Sequence, residues 1–144
     1  MSELVAGRWP ISVELPVQWG EMDSFAHVNN VTYLRWFETA RIAYFEAAGI
    51  LARMESERIG PILARSTIDY KIPLTYPDRV TAQAAVTKLG NTSFTMAMRL
   101  TSGSRGGAVA AEGENVIVLV DYRTQHKVPL WDGLRARIAE LQQG

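Results

Sequence analysis

Apolar and polar residues alternate along most of the chain, and this period of two indicates half-buried β-strands. The first alternating stretch is SVELPVQW at residues 12–19, in which Val13, Leu15, Val17 and Trp19 are predicted to share one face. Pro16 within it cannot donate a backbone hydrogen bond, so we expect this strand to lie at an edge of the sheet or to end its pairing there.

The segment NVTYLRWFETARIAYFEAA, residues 30–48, lacks that period and is followed by Gly49, as many helix C-termini are. On a helical projection its polar residues form one narrow stripe, except for Glu38 and Arg41, and the remaining surface is apolar. We therefore predict a long helix that is enclosed by other structure. Glu38 and Arg41 are interpreted as a structural ion pair rather than catalytic residues, because partly buried charges are normally paired.

More strands are predicted after a short connection at residues 52–60, at about 61–72, 80–89, 93–101 and 108–122. The first of them is expected to place alternate residues on one face: Ile62, Ala64, Ser66, Ile68, Tyr70 and Ile72. The connections Gly90-Asn91 and SGSRGG carry residues that hairpins require. The apolar run VIVLV in the last strand predicts a central position with burial on both faces. A short amphipathic helix is expected at about residues 131–142, after Pro129.

This order of elements predicts a single α+β domain over residues 1–144, with its core at about 12–122. An antiparallel sheet of about five strands would wrap around one long buried helix, and a short C-terminal helix would follow. A small sheet leaves part of such a helix uncovered, and a second subunit is the natural cover. We expect a homodimer, or a tetramer built from such dimers.

Composition narrows the classes of function. The 144 residues include 15 basic and 15 acidic side chains, so no global field attracts nucleic acid or an anionic membrane. With no cysteine and only two histidines, a thiolate nucleophile is excluded and a metal site is not expected. The start of the chain lacks the apolar core of a signal peptide, and no run of about 18 apolar residues occurs. These features predict a cytoplasmic protein.

The segment EMDSFAHVNNVTYL, residues 21–34, places several polar side chains directly ahead of the predicted long helix. Asp23, followed by Ser24, can close an Asx turn, and either Asn29 or Asn30 can cap the helix. A lone histidine such as His27 more often packs within a loop than performs chemistry. The helix start nevertheless presents unpaired N–H groups with partial positive charge, which an oxyanion or an acyl carbonyl oxygen can use.

The pattern D-x-x-x-H-V-N-N-x-x-Y in this segment, followed by RWFETARIAYF, resembles the hotdog-fold acyl thioesterases. It is most similar to the 4-hydroxybenzoyl-CoA thioesterase-like group and to the acyl-carrier-protein thioesterases that share HVNN. The likeness continues through RSTIDYKIPLTYPDRV and KLGNTSF, so it covers roughly Glu14 to Tyr122. It implies a hotdog fold, active sites at a two-fold dimer interface, and hydrolysis of acyl-CoA or acyl-carrier-protein thioesters with no metal or organic cofactor.

By this resemblance Asp23 matches the catalytic carboxylate, which acts as a general base on water or as a nucleophile. The N–H group that polarises the thioester carbonyl falls at Asn30. His27 matches a histidine of the catalytic set in the carrier-protein enzymes, which also carry an asparagine two positions earlier. Phe25 stands at that position here, so the full set is incomplete and His27 is expected to orient or polarise.

The same resemblance suggests residues for substrate binding. Tyr33 is expected either to line the pocket or only to pack, and Ser66 either to point at the thioester or to bond nearby backbone. The CoA phosphates and pantetheine are assigned by family position to the segment KLGNTS, with Lys88, Asn91, Thr92 and Ser93. The alternative for Lys88 is a solvated surface lysine.

Two other functions remain open at this stage. The same fold hosts hydratases and dehydratases of acyl thioesters, although their spacing differs from DSFAHVNN. A non-catalytic acyl-CoA-binding subunit would also retain the fold, but the intact Asp23 argues against it.

Overall fold

The computed structural model describes residues 2–3 and 8–143. The remaining positions of the predicted 1–144 domain lie outside the described residues. The strands are β1 (Ser2–Glu3), β2 (Ile11–Pro16), β3 (Ile59–Tyr70), β4 (Arg79–Leu89), β5 (Ser93–Ser102) and β6 (Ala108–Asp121). The helices are α1 (Asn30–Ala47), α2 (Ile50–Glu57) and α3 (Asp132–Gln143), and a 3-10 turn spans Trp19–Glu21.

One antiparallel sheet in the order β1-β4-β5-β6-β3 carries the fold, and β2 also pairs with β4. Helix α1 lies against β2, β4 and β5 and buries its aromatic face there, with Tyr33, Trp36, Phe37, Tyr44 and Phe45. The α+β architecture of a sheet around one long helix is therefore confirmed. The prediction for β2 also holds, because its ladder ends at Pro16.

Helix α1 is not enclosed on every side within one chain. Val31, Leu34 and Ile42 are 56%, 40% and 43% exposed, so an apolar strip of the helix faces outward. An apolar surface of this kind marks a place where another molecule packs.

Trp19 does not follow the prediction that it shares a face with Val13, Leu15 and Val17. The strand ends at Pro16, and Trp19 lies in the 3-10 turn with 72% of its surface exposed, so it does not share the buried face of β2. A period of two assigns a side chain to one face only within a strand, and Trp19 lies beyond the end of β2.

Helix α2 also differs from the prediction, because residues 52–60 were expected to form only a short connection. Gly49 does end α1, with φ of +83°, but Ile50 starts a new helix at once. The eight residues ILARMESE contain mostly strong helix formers, yet they make only two turns, too few for a clear hydrophobic period.

Strand β3 contains a β-bulge between Leu63 and Arg65 that reverses its predicted alternation. Ile62 pairs with Val118, whereas Ser66 pairs with Asn115, three residues away on β6. Because that spacing is odd, Ile62 and Ser66 lie on opposite faces of the sheet. The prediction that both belong to one face is wrong.

Strand β6 occupies the predicted central position, between β5 and β3. The predicted two-sided burial holds in part: Ile117 and Leu119 are buried on one face, and on the other Val120 is buried whereas Val116 and Val118 are half-buried. In the described part of the chain the outer face of the sheet carries no second layer over Val116 and Val118. Helix α3 agrees with its predicted limits and buries Leu134 and Ile138.

Asp78 ties the turn before β4 to the β5–β6 hairpin. Its carboxylate accepts hydrogen bonds from the hydroxyl of Ser102 (2.5 Å), from the N–H of Ser104 (2.8 Å) and from the N–H of Arg79 (2.7 Å). Desolvation opposes ionisation, but these donors outweigh it and hold the pKa of Asp78 below its usual value of 3.8.

We expect Asp78→Asn to lower the free energy of unfolding by about 1–2 kcal/mol at pH 7, because charge-assisted hydrogen bonds are weakened. A carboxylate whose pKa is depressed on folding stabilises the protein above its unfolded pKa, and that contribution disappears as pH falls through the folded value. Urea unfolding of both proteins from pH 7 to pH 3 should therefore show a difference that shrinks below about pH 4. A difference that stays constant over this range would contradict the assignment.

Candidate active site

The loop ahead of α1 is closed by backbone hydrogen bonds. The N–H of Asp23 donates to the carbonyl of His27 (2.9 Å), and the N–H of Ala26 donates to the carbonyl of Asp23 (3.0 Å). Ala26 adopts a left-handed conformation with φ of +62°, which reverses the chain. Val28 then donates to the carbonyl of Leu74 (2.8 Å) and attaches the loop to the segment after β3. The loop is thus a compact turn of fixed shape.

The side chain of Asp23 takes part in this turn and is still open to solvent. Its Oδ1 accepts a hydrogen bond from the N–H of Phe25 at 2.9 Å, so the predicted Asx turn is present. No described residue donates to Oδ2. The turn therefore fixes the carboxylate and leaves one oxygen available for chemistry.

Asn29, not Asn30, is the N-cap of α1. Its Oδ1 accepts from the N–H of Val31 (2.8 Å), and its carbonyl accepts from the N–H of Thr32 (2.9 Å). Among the described residues none accepts from the N–H of Asn30, the first residue of the helix. This N–H group carries the positive end of the helix dipole and can donate to a ligand.

A cavity of about 530 Å³ lies in front of this helix start, within the usual range for small-molecule sites. It is lined by Asp23, Phe25, His27, Val28, Asn29, Asn30, Tyr33, Tyr70, Lys71, Ile72 and Pro73. The structure thus brings together all three predicted catalytic residues, Asp23, His27 and Asn30.

Tyr33 forms part of the cavity wall, but its hydroxyl is already engaged. The hydroxyl donates to the carbonyl of Ile72 (3.0 Å) and accepts from the N–H of Leu74 (3.1 Å). Burial raises the pKa of this phenol above 10.0, so it stays protonated. Tyr33 thus holds the segment after β3 against the helix start while it also borders the cavity.

Tyr70 and Lys71 line the cavity and were missed by the sequence interpretation. The Tyr70 hydroxyl lies 3.3 Å from the carbonyl oxygen of Asn30, and its ring packs edge-on against Tyr33 at 5.1 Å between centroids. The Lys71 ammonium pairs with Glu112 at 3.2 Å. Alternation gave the face of Tyr70, but only the curvature of the sheet brings the end of β3 to the start of α1.

Ser66 is not in this cavity. Its Oγ accepts a hydrogen bond from Nδ2 of Asn115 (3.2 Å), and it borders a separate cavity of about 250 Å³ beside α1. Arg41 donates to Oδ1 of Asn115 (2.8 Å) and lies 3.7 Å from Glu38, as the ion-pair interpretation predicted. Desolvation lowers the pKa of the Arg41 guanidinium despite the charge of Glu38. Within one chain, Ser66 belongs to this structural network and does not face Asp23.

The predicted CoA-binding residues Lys88, Asn91, Thr92 and Ser93 lie near the other end of α1. Phe94, which follows them, packs edge-on against Phe45 of the helix at 6.3 Å. Phe45 is fifteen residues from Asn30, and at 1.5 Å per residue the two are roughly 22 Å apart along the helix axis. The carbonyl of Thr92 accepts from Leu119 of β6, and the carbonyl of Asn91 accepts from Leu130, which connects this hairpin to the segment before α3. One chain alone does not bring these residues to Asp23.

Two classes of feature are absent from the described part of the chain. No three His, Cys, Asp or Glu side chains there come close enough to hold a metal ion. No helix among residues 8–143 is long and apolar enough to cross a membrane.

Comparison with known proteins places this architecture in a family. The PA2801 protein of Pseudomonas aeruginosa is 32% identical, with a TM-score of 0.81 over 92% of this chain and all of that chain. A thioesterase from Thermus thermophilus, solved with coenzyme A and Zn, is 29% identical, with a TM-score of 0.82 over 94% of this chain and 96% of that one. The long-chain acyl-CoA thioesterase FadM of Escherichia coli K12 is 24% identical over 91% of this chain and 98% of its own length.

The fold shared with these structures is the hotdog fold expected from the HVNN pattern. The model of the thioesterase-like superfamily matches residues 17–138, which include the Asp23 loop, the whole sheet from β3 onward and most of α3. The chain belongs to the thioesterase-like superfamily.

Proposed function

We propose that this protein hydrolyses acyl-CoA thioesters to the free acid and CoA. One observation carries the proposal: an Asp23 carboxylate with a free oxygen and an unpaired Asn30 N–H border the same cavity. Membership of the thioesterase-like superfamily supports thioester hydrolysis as the reaction. The names of FadM and of the Thermus thermophilus complex support a CoA thioester as the substrate.

In this mechanism the thioester carbonyl oxygen accepts a hydrogen bond from the N–H of Asn30. Negative charge develops on that oxygen as the carbonyl is attacked, and the positive end of α1 stabilises it. The N–H group is fixed by the helix, so little reorganisation is needed during the reaction.

The attacking group involves the free Oδ2 of Asp23, by one of two routes. As a general base, the carboxylate removes a proton from water, which adds to the carbonyl and expels the CoA thiolate. As a nucleophile, Oδ2 adds to the carbonyl itself, the thiolate leaves, and water then hydrolyses the mixed anhydride and regenerates the carboxylate. Each route gives one acid and one thiol per water consumed.

His27 is proposed as a secondary member of the site. It lines the cavity, and its carbonyl accepts the N–H of Asp23, so its backbone orients the catalytic loop. Its exposed imidazole is available to the leaving thiolate or to the bound thioester. Tyr33 borders the cavity, but its hydroxyl is already hydrogen-bonded and is not proposed to act on the thioester.

We further propose that the active protein is a homodimer. The exposed apolar strip of α1 and the exposed Leu63 of β3, which borders the same small cavity as Val31 and Leu34, give a surface that a second copy can cover. Strand β3 is also the last strand of the sheet, with one edge unpaired by the described residues. A second copy would also be able to bring Lys88 and the segment from Asn91 to Ser93 to an active site, where the family resemblance assigns them to CoA.

Leu34→Asp tests the dimer, because a carboxylate placed in the apolar strip is costly to bury without a partner. We expect the wild type to sediment at twice the chain mass of 16.0 kDa and the variant to shift toward the monomer. Thr39→Asp, at an exposed polar position of the same helix, is the matched control. A wild type that sediments as a monomer at micromolar concentration would refute the proposal.

The proposed reaction is tested by incubating the protein with acetyl-, hexanoyl-, decanoyl- and benzoyl-CoA and a free-thiol reagent. Thiol release with at least one of them supports hydrolysis. Two further substrates, 2-hexenoyl- and 3-hydroxyhexanoyl-CoA, report on the alternative: gain of water by the first or loss of water by the second, without thiol release, would indicate a hydratase or dehydratase. Binding with no reaction of any thioester, including acyl-carrier-protein thioesters, would indicate a non-catalytic subunit.

A further inference from the structure

Phe25 is the most exposed large apolar side chain among the described residues, with 81% of its surface accessible. Val31, Leu34 and Ile42 of α1 and Leu63 of β3 are also exposed, and they lie in the proposed subunit contact. Phe25 belongs to neither element and lies in the middle of the Asp23 loop. Its exposure therefore has a separate origin.

The backbone that carries this ring is held in place. The N–H of Phe25 donates to Oδ1 of Asp23 at 2.9 Å, and Ala26, the next residue, is fixed in the left-handed conformation by the turn. The residues on both sides of Phe25 are thus part of a hydrogen-bonded loop. The ring is displayed by a rigid support, with little backbone entropy left to lose when it is covered.

Phe25 also lines the cavity that contains the reacting groups. Val28, Ile72 and Pro73 provide further apolar wall, whereas Asp23 and Asn30 are the polar groups proposed to act on the carbonyl. Phe25 is only two residues from Asp23 and is hydrogen-bonded to its carboxylate. An acyl group held for attack by Asp23 therefore occupies a cavity that Phe25 also borders.

We infer that Phe25 determines acyl specificity by packing its ring against the acyl carbons that follow the thioester carbonyl. The inference rests on the proposed hydrolysis and adds to it a preference: acyl groups with apolar carbons beyond the one next to the carbonyl are favoured over acetyl. Removing an exposed aromatic ring and an acyl chain from water together is favourable, and only the longer acyl group gains that contact.

The test compares kcat/KM of wild type, Phe25→Ala and Phe25→Leu on acetyl-, hexanoyl- and benzoyl-CoA. We expect Phe25→Ala to lose about tenfold on hexanoyl- and benzoyl-CoA and less than about twofold on acetyl-CoA, as for other apolar pocket contacts. Phe25→Leu should keep much of the preference for hexanoyl-CoA. Trp19→Ala removes another exposed aromatic ring, outside the cavity, and should leave the ratios unchanged.

Thermal unfolding of each variant should stay close to wild type, because the ring contributes little to the core. An equal fall of kcat/KM on all three substrates would overturn the inference, since it would mean that the ring only supports the loop. Unchanged substrate ratios with an altered sedimentation coefficient would also overturn it, in favour of a subunit contact. A wild type inactive on every thioester would instead refute the proposed function and the inference together.

Discussion

Replacing Asp23 by asparagine is expected to lower kcat for acyl-CoA hydrolysis by about a thousandfold, the usual scale for loss of a general base or nucleophile. Asparagine retains an oxygen that can accept the N–H of Phe25, so the Asx turn and the loop should persist. The substitution therefore removes the charge and basicity of the side chain while keeping its geometry. KM is expected to change only a few-fold, because the carboxylate acts mainly in the transition state.

Asp69→Asn is the matched control for this experiment, since Asp69 is an exposed aspartate of β3 outside the cavity. Its kcat should equal that of the wild type. Asp23→Ala removes the turn as well as the charge and should be at least as impaired as Asp23→Asn. An Asp23→Asn protein with wild-type kcat on a substrate that the wild type hydrolyses would show that another group attacks the thioester.

Replacing Gln142 by alanine is expected to reduce the free energy of unfolding by about 2–4 kcal/mol. The amide oxygen of Gln142 accepts from the hydroxyl of Tyr44 (2.8 Å) and from the N–H of Val86 (2.9 Å), and all three residues are buried. Burial also raises the pKa of Tyr44, so its hydroxyl remains a donor. Truncation would leave two buried donors without a partner and would loosen α3 from α1 and β4.

Gln143→Ala provides the control, because Gln143 is the exposed neighbour on the same helix. Its free energy of unfolding, measured by urea denaturation, should stay within about 0.5 kcal/mol of the wild-type value. Equal small effects for the two glutamines would show that Gln142 does not anchor α3.

The elements that the sequence predicted well are long. Helix α1 was predicted closely because its eighteen residues lack a period of two and are apolar on most sides, and strand β5 because its ten residues alternate. Helix α2 was missed because two turns are too short to show a period. The bulge in β3 was missed because an extra residue reverses the faces without any change in composition.

The residues of the site also fall into two groups, those that could be predicted from the sequence and those that could not. Asp23, His27 and Asn30 are close in sequence, so their meeting at the helix start follows from local turns and capping. Tyr70 and Lys71 reach the same cavity from the end of β3, and Ser66 turns instead toward Asn115. Such placements depend on sheet curvature and strand register, which arise from pairing between segments far apart in the chain.

The most direct test of the account is a single-turnover experiment in which excess protein is mixed with an acyl-CoA that the wild type binds, and free thiol and free acid are both quantified. We predict equimolar thiol and acid from the wild type, and bound, intact thioester with Asp23→Asn over the same time. Intact thioester in the wild-type reaction, or equal product from both proteins, would contradict hydrolysis by Asp23 at the start of α1.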